Sequence, residues 1–104
     1  MIEFGIIDRF GRKIRLSKER HNHIVERPEM ENQDERIKET ILDPEIVRES
    51  NHDPEVWLYY RFYEEGPVRG KFLVSIIKIQ NGEGFIITSF YTDKVKEGAV
   101  IWKR

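Results

Sequence analysis

The stretch KFLVSIIKIQ-NG-EGFIITSFYT, residues 71–92, decides the fold. Two ten-residue runs rich in β-branched and aromatic residues flank Asn81-Gly82. Asn-Gly supplies the two positive-φ positions of a type I′ turn, the commonest two-residue hairpin connection. The segment therefore reads as a long antiparallel hairpin. A register counted outward from that turn sets Gln80 opposite Glu83, Ile77 opposite Ile86, Ser75 opposite Thr88 and Lys71 opposite Thr92. Alternation then divides the hairpin. Lys71, Leu73, Ser75, Ile77, Ile86, Thr88, Phe90 and Thr92 share a mixed face. Phe72, Val74, Ile76, Phe85, Ile87, Ser89 and Tyr91 share a more apolar face, expected to meet the main core.

Outward from the hairpin, VWLYYRFY (56–63) is a third strand of the same kind. Its alternation separates Leu58, Tyr60 and Phe62 from Trp57, Tyr59, Arg61 and Tyr63. The simplest parity through residues 64–70 joins the second set to Lys71 and Thr88; a one-residue slip reverses it. Upstream, Asn51-His52-Asp53-Pro54 is a loop, with His52 a turn residue, and Glu45–Ser50 has extended character. Asn32, with Glu35 three positions on, opens a helix carrying Ile37 and Ile41 and stopping before Pro44. Ser17 caps an earlier helix, expected to run to about Arg27 before Pro28. The chain starts with two short strands around Asp8-Arg9-Phe10-Gly11 and finishes with an edge strand near AVIW. The expected fold is α+β: an N-terminal hairpin and two helices packed on an antiparallel sheet of about four strands.

One domain fits 104 residues, of which 38% are hydrophobic and 36% charged. The chain has no cysteine, which excludes disulfides and thiolate metal sites. No apolar run approaches a membrane span and no charged-then-apolar leader opens the chain. A cytoplasmic protein without a membrane partner is expected. Net charge is −1, unevenly placed. Residues 1–56 hold 10 basic and 14 acidic side chains; residues 57–104 hold 8 and 5. A polyanion is expected to favour the second half, over a small footprint.

The run RHNHIVERPEM (20–30) holds two histidines. His21 and His23 are two apart, so on a helix they diverge by about 200° and do not share a metal; the i, i+4 pattern of a helical zinc site is absent. No metal or other cofactor is expected. His21 falls at the edge of the core. His23, with Arg20, Glu26 and Arg27 within one turn, lies on a polar stripe.

HIVERPEM on the first helix, then YYRFY, GKFLVSIIK and FIITSFYTDKVKEG appear in that order. Over roughly residues 16–102 this pattern resembles the phage-associated barnase/EndoU/colicin/RelE-like nucleases. The clearest matches are a His-Ile-x-x-Arg helix signature at His23–Arg27 and a Thr-x-x-x-Thr signature at Thr88–Thr92. Family members typically read Thr-Ala-Tyr-Pro-Thr in the strand, against Thr-Ser-Phe-Tyr-Thr here. Many read Arg-His-Pro-Glu after the helix, where this chain has Arg27-Pro28-Glu29 and so one histidine fewer.

The resemblance implies a metal-independent endoribonuclease, toxin-like or phage-derived, that cleaves RNA by 2′-hydroxyl attack. Such chemistry needs a proton carrier, which a histidine provides near neutral pH, and cations for the growing phosphoryl charge. Carried onto this chain, His23 becomes the acid or base and Arg27 its helical partner. Arg61 and Lys71 stabilise charge, and Thr88 and Thr92 bind the phosphate. Tyr59 and Ser75 contact RNA. The expected partners are RNA and an antitoxin or immunity protein. Two alternatives stand beside this one: a noncatalytic RNA- or protein-binding module on the same sheet, and an interaction protein with no nucleic-acid role.

Overall fold

The computed structural model describes residues 2–104. In chain order its elements are β1 (Ile2–Ile7), β2 (Lys13–Ser17), α1 (Lys18–Ile24), a 3₁₀ turn (Pro28–Met30), α2 (Asp34–Leu42), β3 (Ile46–Glu49), β4 (Val56–Tyr63), β5 (Lys71–Gln80), β6 (Glu83–Thr92) and β7 (Val100–Lys103). All seven strands form one sheet in the order β1-β2-β6-β5-β4-β3-β7. This corrects the expected α+β arrangement of two helices on about four antiparallel strands. The sheet is larger, and it is mixed, because β2 runs parallel to β6. The helices are short, seven and nine residues.

The local signals act as their chemistry dictates. Asn81 and Gly82 take φ of 53° and 77°, as the turn type requires. The Ser17 hydroxyl accepts from Arg20 N–H at 3.2 Å and starts α1. The helix stops at Ile24, short of Arg27, because Pro28 holds the preceding residue extended (Arg27 φ −83°, ψ 118°). Helix α2 begins one residue later than the cap at Asn32 implied: Gln33 is the cap, and Asn32 is left-handed (φ 61°).

A β-bulge revises the hairpin register. Pairing holds as expected from Gln80–Glu83 to Ile77–Ile86, then shifts, so that Ile76 faces Thr88, Ser75 faces Ser89 and Phe72 faces Thr92. Ile87 is the extra residue. One inserted residue moves everything beyond it to the opposite face. Thr88, Phe90 and Thr92 therefore leave Leu73 and Ser75 and join Val74 and Ile76.

The core lies on the face that seemed the more polar. Ile14, Leu16, Val47, Tyr59, Leu73, Ile77 and Ile86 of the sheet pack against Ile24, Met30, Ile37 and Ile41. We call this the helix face. The hydroxyls on it are buried and satisfied: Ser89 donates to the Val74 carbonyl at 2.8 Å and lies 3.2 Å from the Ser75 hydroxyl. The opposite, open face carries a smaller cluster of Leu58, Tyr60 and Val74 with Phe72, Ile76, Phe90 and Val95. β6 and β7 are separated by three strands, so the chain between them must cross the sheet. It crosses the open face, where Val95 joins that cluster and Lys96 N–H donates to Tyr60 Oη at 3.1 Å. The sheet also curls. The Arg9 guanidinium, at the tip of the first hairpin, lies 4.1 Å over the Trp102 ring of β7.

Candidate functional site

Among the described residues, β2 pairs with β6 only at Ile14–Gly84 and Arg15–Phe85. Gly84 permits the close approach, since a Cβ there would collide with Ile14 Cδ1 and lie 2.9 Å from Ile77 Cγ2. Past Phe85, α1 replaces β2 beside β6, with Ile24 buried as its anchor. Taking Ile24 as the inward direction, Arg20 lies roughly 40° and His23 roughly 100° to one flank, and His21 roughly 60° to the other.

The two flanks have different surroundings. On the His21 side, Nε2 lies 2.9 Å from Asp34 Oδ1 and Nδ1 lies 3.9 Å from Glu3 Oε1. The carboxylates approach opposite ring nitrogens, and one ligand atom from each of Glu3, His21 and Asp34 lies within 4.8 Å of the other two. The arrangement ties β1, α1 and α2 together. On the other flank, Arg20 lines a groove of about 470 Å³ with Arg15, Ser17, Lys78, Gln80, Phe85 and Ile87. Beyond the helix end, the Arg27 guanidinium lies 4.9 Å over the Phe90 ring. Phe90 stands between Thr88 and Thr92 on the open face of β6. His23 belongs to this flank; its side chain is 57% exposed, with Nδ1 3.7 Å from Glu26.

The helix and strand signatures thus meet at one sheet edge. Arg20 and Arg27 form no ion pair among the described residues, whereas Arg15 pairs with Glu83 at 2.7 Å. Lys78 pairs with Asp53 at 2.6 Å and Glu55 at 3.2 Å. The hydrogen bond that Lys78 donates to Asp53, then that to Glu55, raises the Lys78 pKa above its ordinary value. The Thr88 hydroxyl is shielded and has no hydrogen-bond partner among the described residues.

The other four candidate residues lie on the helix face, away from this edge. Arg61 Nη1 donates to the Asp43 carbonyl at 2.7 Å, and its Nε is 3.4 Å from Glu39. Lys71 pairs with Asp93. Tyr59 is fully buried and donates to Asp8 Oδ2 at 2.6 Å, so its ring offers no base a platform. Burial first, then the Asp8 carboxylate, push its phenol far above the ordinary range. Ser75 is buried beside Ser89. Arg20, Phe85 and Phe90 were not singled out from the sequence. The signal for Phe90 was present, because it alternates with the two threonines. Phe85 and Arg20 become neighbours only through the non-local pairing of β2 with β6.

No protein-family model, curated protein or solved structure matches this chain. No helix among the described residues is long and apolar enough to cross a membrane.

Proposed function

We propose that this protein is a metal-independent endoribonuclease whose site is the α1–β6 edge. The observation that carries the reading is the Arg27 guanidinium stacked on Phe90 between Thr88 and Thr92, with His23 on the same helix flank. A guanidinium beside two hydroxyls suits a phosphodiester. The exposed imidazole of His23, one turn before Arg27 in the chain, suits a proton transfer.

In this scheme His23 takes the proton of a ribose 2′-hydroxyl. The freed oxygen attacks phosphorus, the O2′–P bond forms, and the P–O5′ bond breaks. The departing O5′ takes its proton from the conjugate imidazolium or from water. Arg27 offsets the negative charge that grows on the nonbridging oxygens, and Thr88 and Thr92 orient them. The Thr88 hydroxyl is covered, but the residue is only half-buried. The scheme requires a χ1 rotation that turns the oxygen outward. Arg61, Lys71, Tyr59 and Ser75 have no part in this scheme; their partners on the helix face account for them.

The competing reading is a module that binds RNA at this edge without cutting it. The covered Thr88 hydroxyl and the single histidine on this flank favour it. An antitoxin or immunity partner rests on the sequence resemblance alone. Incubating the protein with single-stranded RNA in excess chelator, beside a His23→Ala variant, separates the two readings. The nuclease reading expects cleavage that the variant loses while still binding RNA. Binding without cleavage by either protein establishes the competing reading.

A further inference from the structure

Phe85 is 42% exposed although it sits in the middle of a sheet. Its two cross-strand neighbours are both cations: Arg15 on β2 and Lys78 on β5. Packing under a cation does not explain the ring. Arg15 turns to Glu83, and Lys78 turns to Asp53 and Glu55. Among the described residues neither lies over the Phe85 ring, whereas Phe90 is covered by Arg27. Phe85 is thus an uncovered aromatic surface in a groove lined by Arg15, Arg20, Lys78 and Gln80 and by aliphatic side chains, Ile2 and Ile87 among them. The groove lining takes in Phe85, Ile86 and Ile87 of β6 and stops short of Phe90. Four strand residues, one of them in the bulge, lie between Phe85 and Phe90, which sets the rings roughly 15 Å apart.

An exposed ring beside a cation suits a single-stranded polynucleotide. Its phosphates require positive charge and its unstacked bases require an aromatic face. A duplex keeps its bases stacked on one another and cannot use Phe85. A free phosphate has no use for it either. We infer that this groove holds the nucleotides flanking the cleaved bond, one base stacked on Phe85 and an adjoining phosphate on Arg20, the groove cation that forms no ion pair among the described residues. The inference rests on the nuclease reading for the identity of the substrate as RNA. It deepens that reading by assigning a preference for single strands and a base platform outside the reacting group.

Fluorescence anisotropy with a labelled oligodeoxythymidine tests it without relying on catalysis. That strand presents phosphates and bases but lacks the 2′-hydroxyl, so it binds uncut. The matching oligouridine and a duplex of the same length complete the set. The single strands should bind more tightly than the duplex. Phe85→Ala should weaken single-strand binding roughly 5- to 150-fold, and Phe85→Tyr should restore it. Arg20→Ala should flatten the slope of log affinity against log salt by about 0.7. Phe85 is a surface residue, and an unchanged melting curve for Phe85→Ala shows that the fold survives. Equal affinity for duplex, unaltered binding by Phe85→Ala, or no binding of any strand overturns the inference. Binding that depends on Phe85, without cleavage of the oligouridine, sustains the groove and refutes the nuclease reading. Cleavage with Phe85→Ala unaffected does the reverse.

Discussion

Replacing Thr88 by valine should make the protein more stable and less active. The Thr88 hydroxyl is shielded and without a partner among the described residues. A polar group left in that state costs about 1–3 kcal/mol. Valine keeps the branched shape and removes the oxygen, so a gain of about 1 kcal/mol is expected. For a domain near this size that raises Tm by roughly 4–8 °C. Under the proposed scheme the same hydroxyl reaches a phosphate oxygen during reaction. A hydrogen bond to a charged group contributes about 1.5–3 kcal/mol, so kcat/KM should fall roughly 10- to 150-fold. Thermal melting followed by circular dichroism gives the first quantity, and cleavage of a labelled RNA in chelator gives the second. A destabilised variant would show that the hydroxyl is satisfied in the folded protein. A stabilised variant that cleaves normally would show that Thr88 serves the strand and not the site.

Three further outcomes follow from named contacts. Tyr59→Phe takes the donor from Asp8 Oδ2 inside the core and should cost about 1.5–3 kcal/mol in urea unfolding, with single-strand affinity unchanged. Arg61→Met releases Asp43 and Glu39 on the helix face; cleavage at the wild-type rate is expected, and a large loss would restore Arg61 to the site. Asp43 has a pKa held below its ordinary value, chiefly by its hydrogen bond from Arg104 and also by charge attraction to Arg104 and Arg61. A carboxylate depressed in the folded state stabilises above its unfolded pKa, about 3.9, and that contribution is lost as pH falls through the lower folded value. Asp43→Asn should therefore lower stability at neutral pH and narrow the gap to wild type below about pH 4. Added salt should shrink the effect, because the group is exposed.

The parts of the fold written in neighbouring residues were legible. Asn81-Gly82, Ser17 and the β-branched runs each specify local geometry by their own chemistry. The parity from β4 to β5 also followed from alternation, and Tyr59, Arg61 and Tyr63 do face Ser75, Leu73 and Lys71. Two non-local features were hidden. FIITSFYT reads as an unbroken strand, so nothing marked Ile87 as the bulge that carries Thr88 and Thr92 to the open face. The parallel contact of β2 with β6 depends on Gly84 receiving Ile14, which no local pattern reports. The face chosen for the core was wrong for a related reason. Counting apolar residues in one hairpin ignores what α2 and the first hairpin deliver to the other side. At the site, the helix and strand signatures were visible and the structure brings them to one edge. Arg61 and Lys71 were cations of the right type whose acidic partners lie far away in sequence or beyond the strand end.

If the α1–β6 edge cleaves RNA by attack of the 2′-oxygen, as proposed, the product ends report that attack directly. Mass spectrometry of an oligouridine digested in chelator should find 2′,3′-cyclic phosphate termini, and a single 2′-deoxy substitution should block cleavage at that position only. Fragments ending in 5′-phosphate, cutting at the deoxy position, or an oligonucleotide left intact would contradict it.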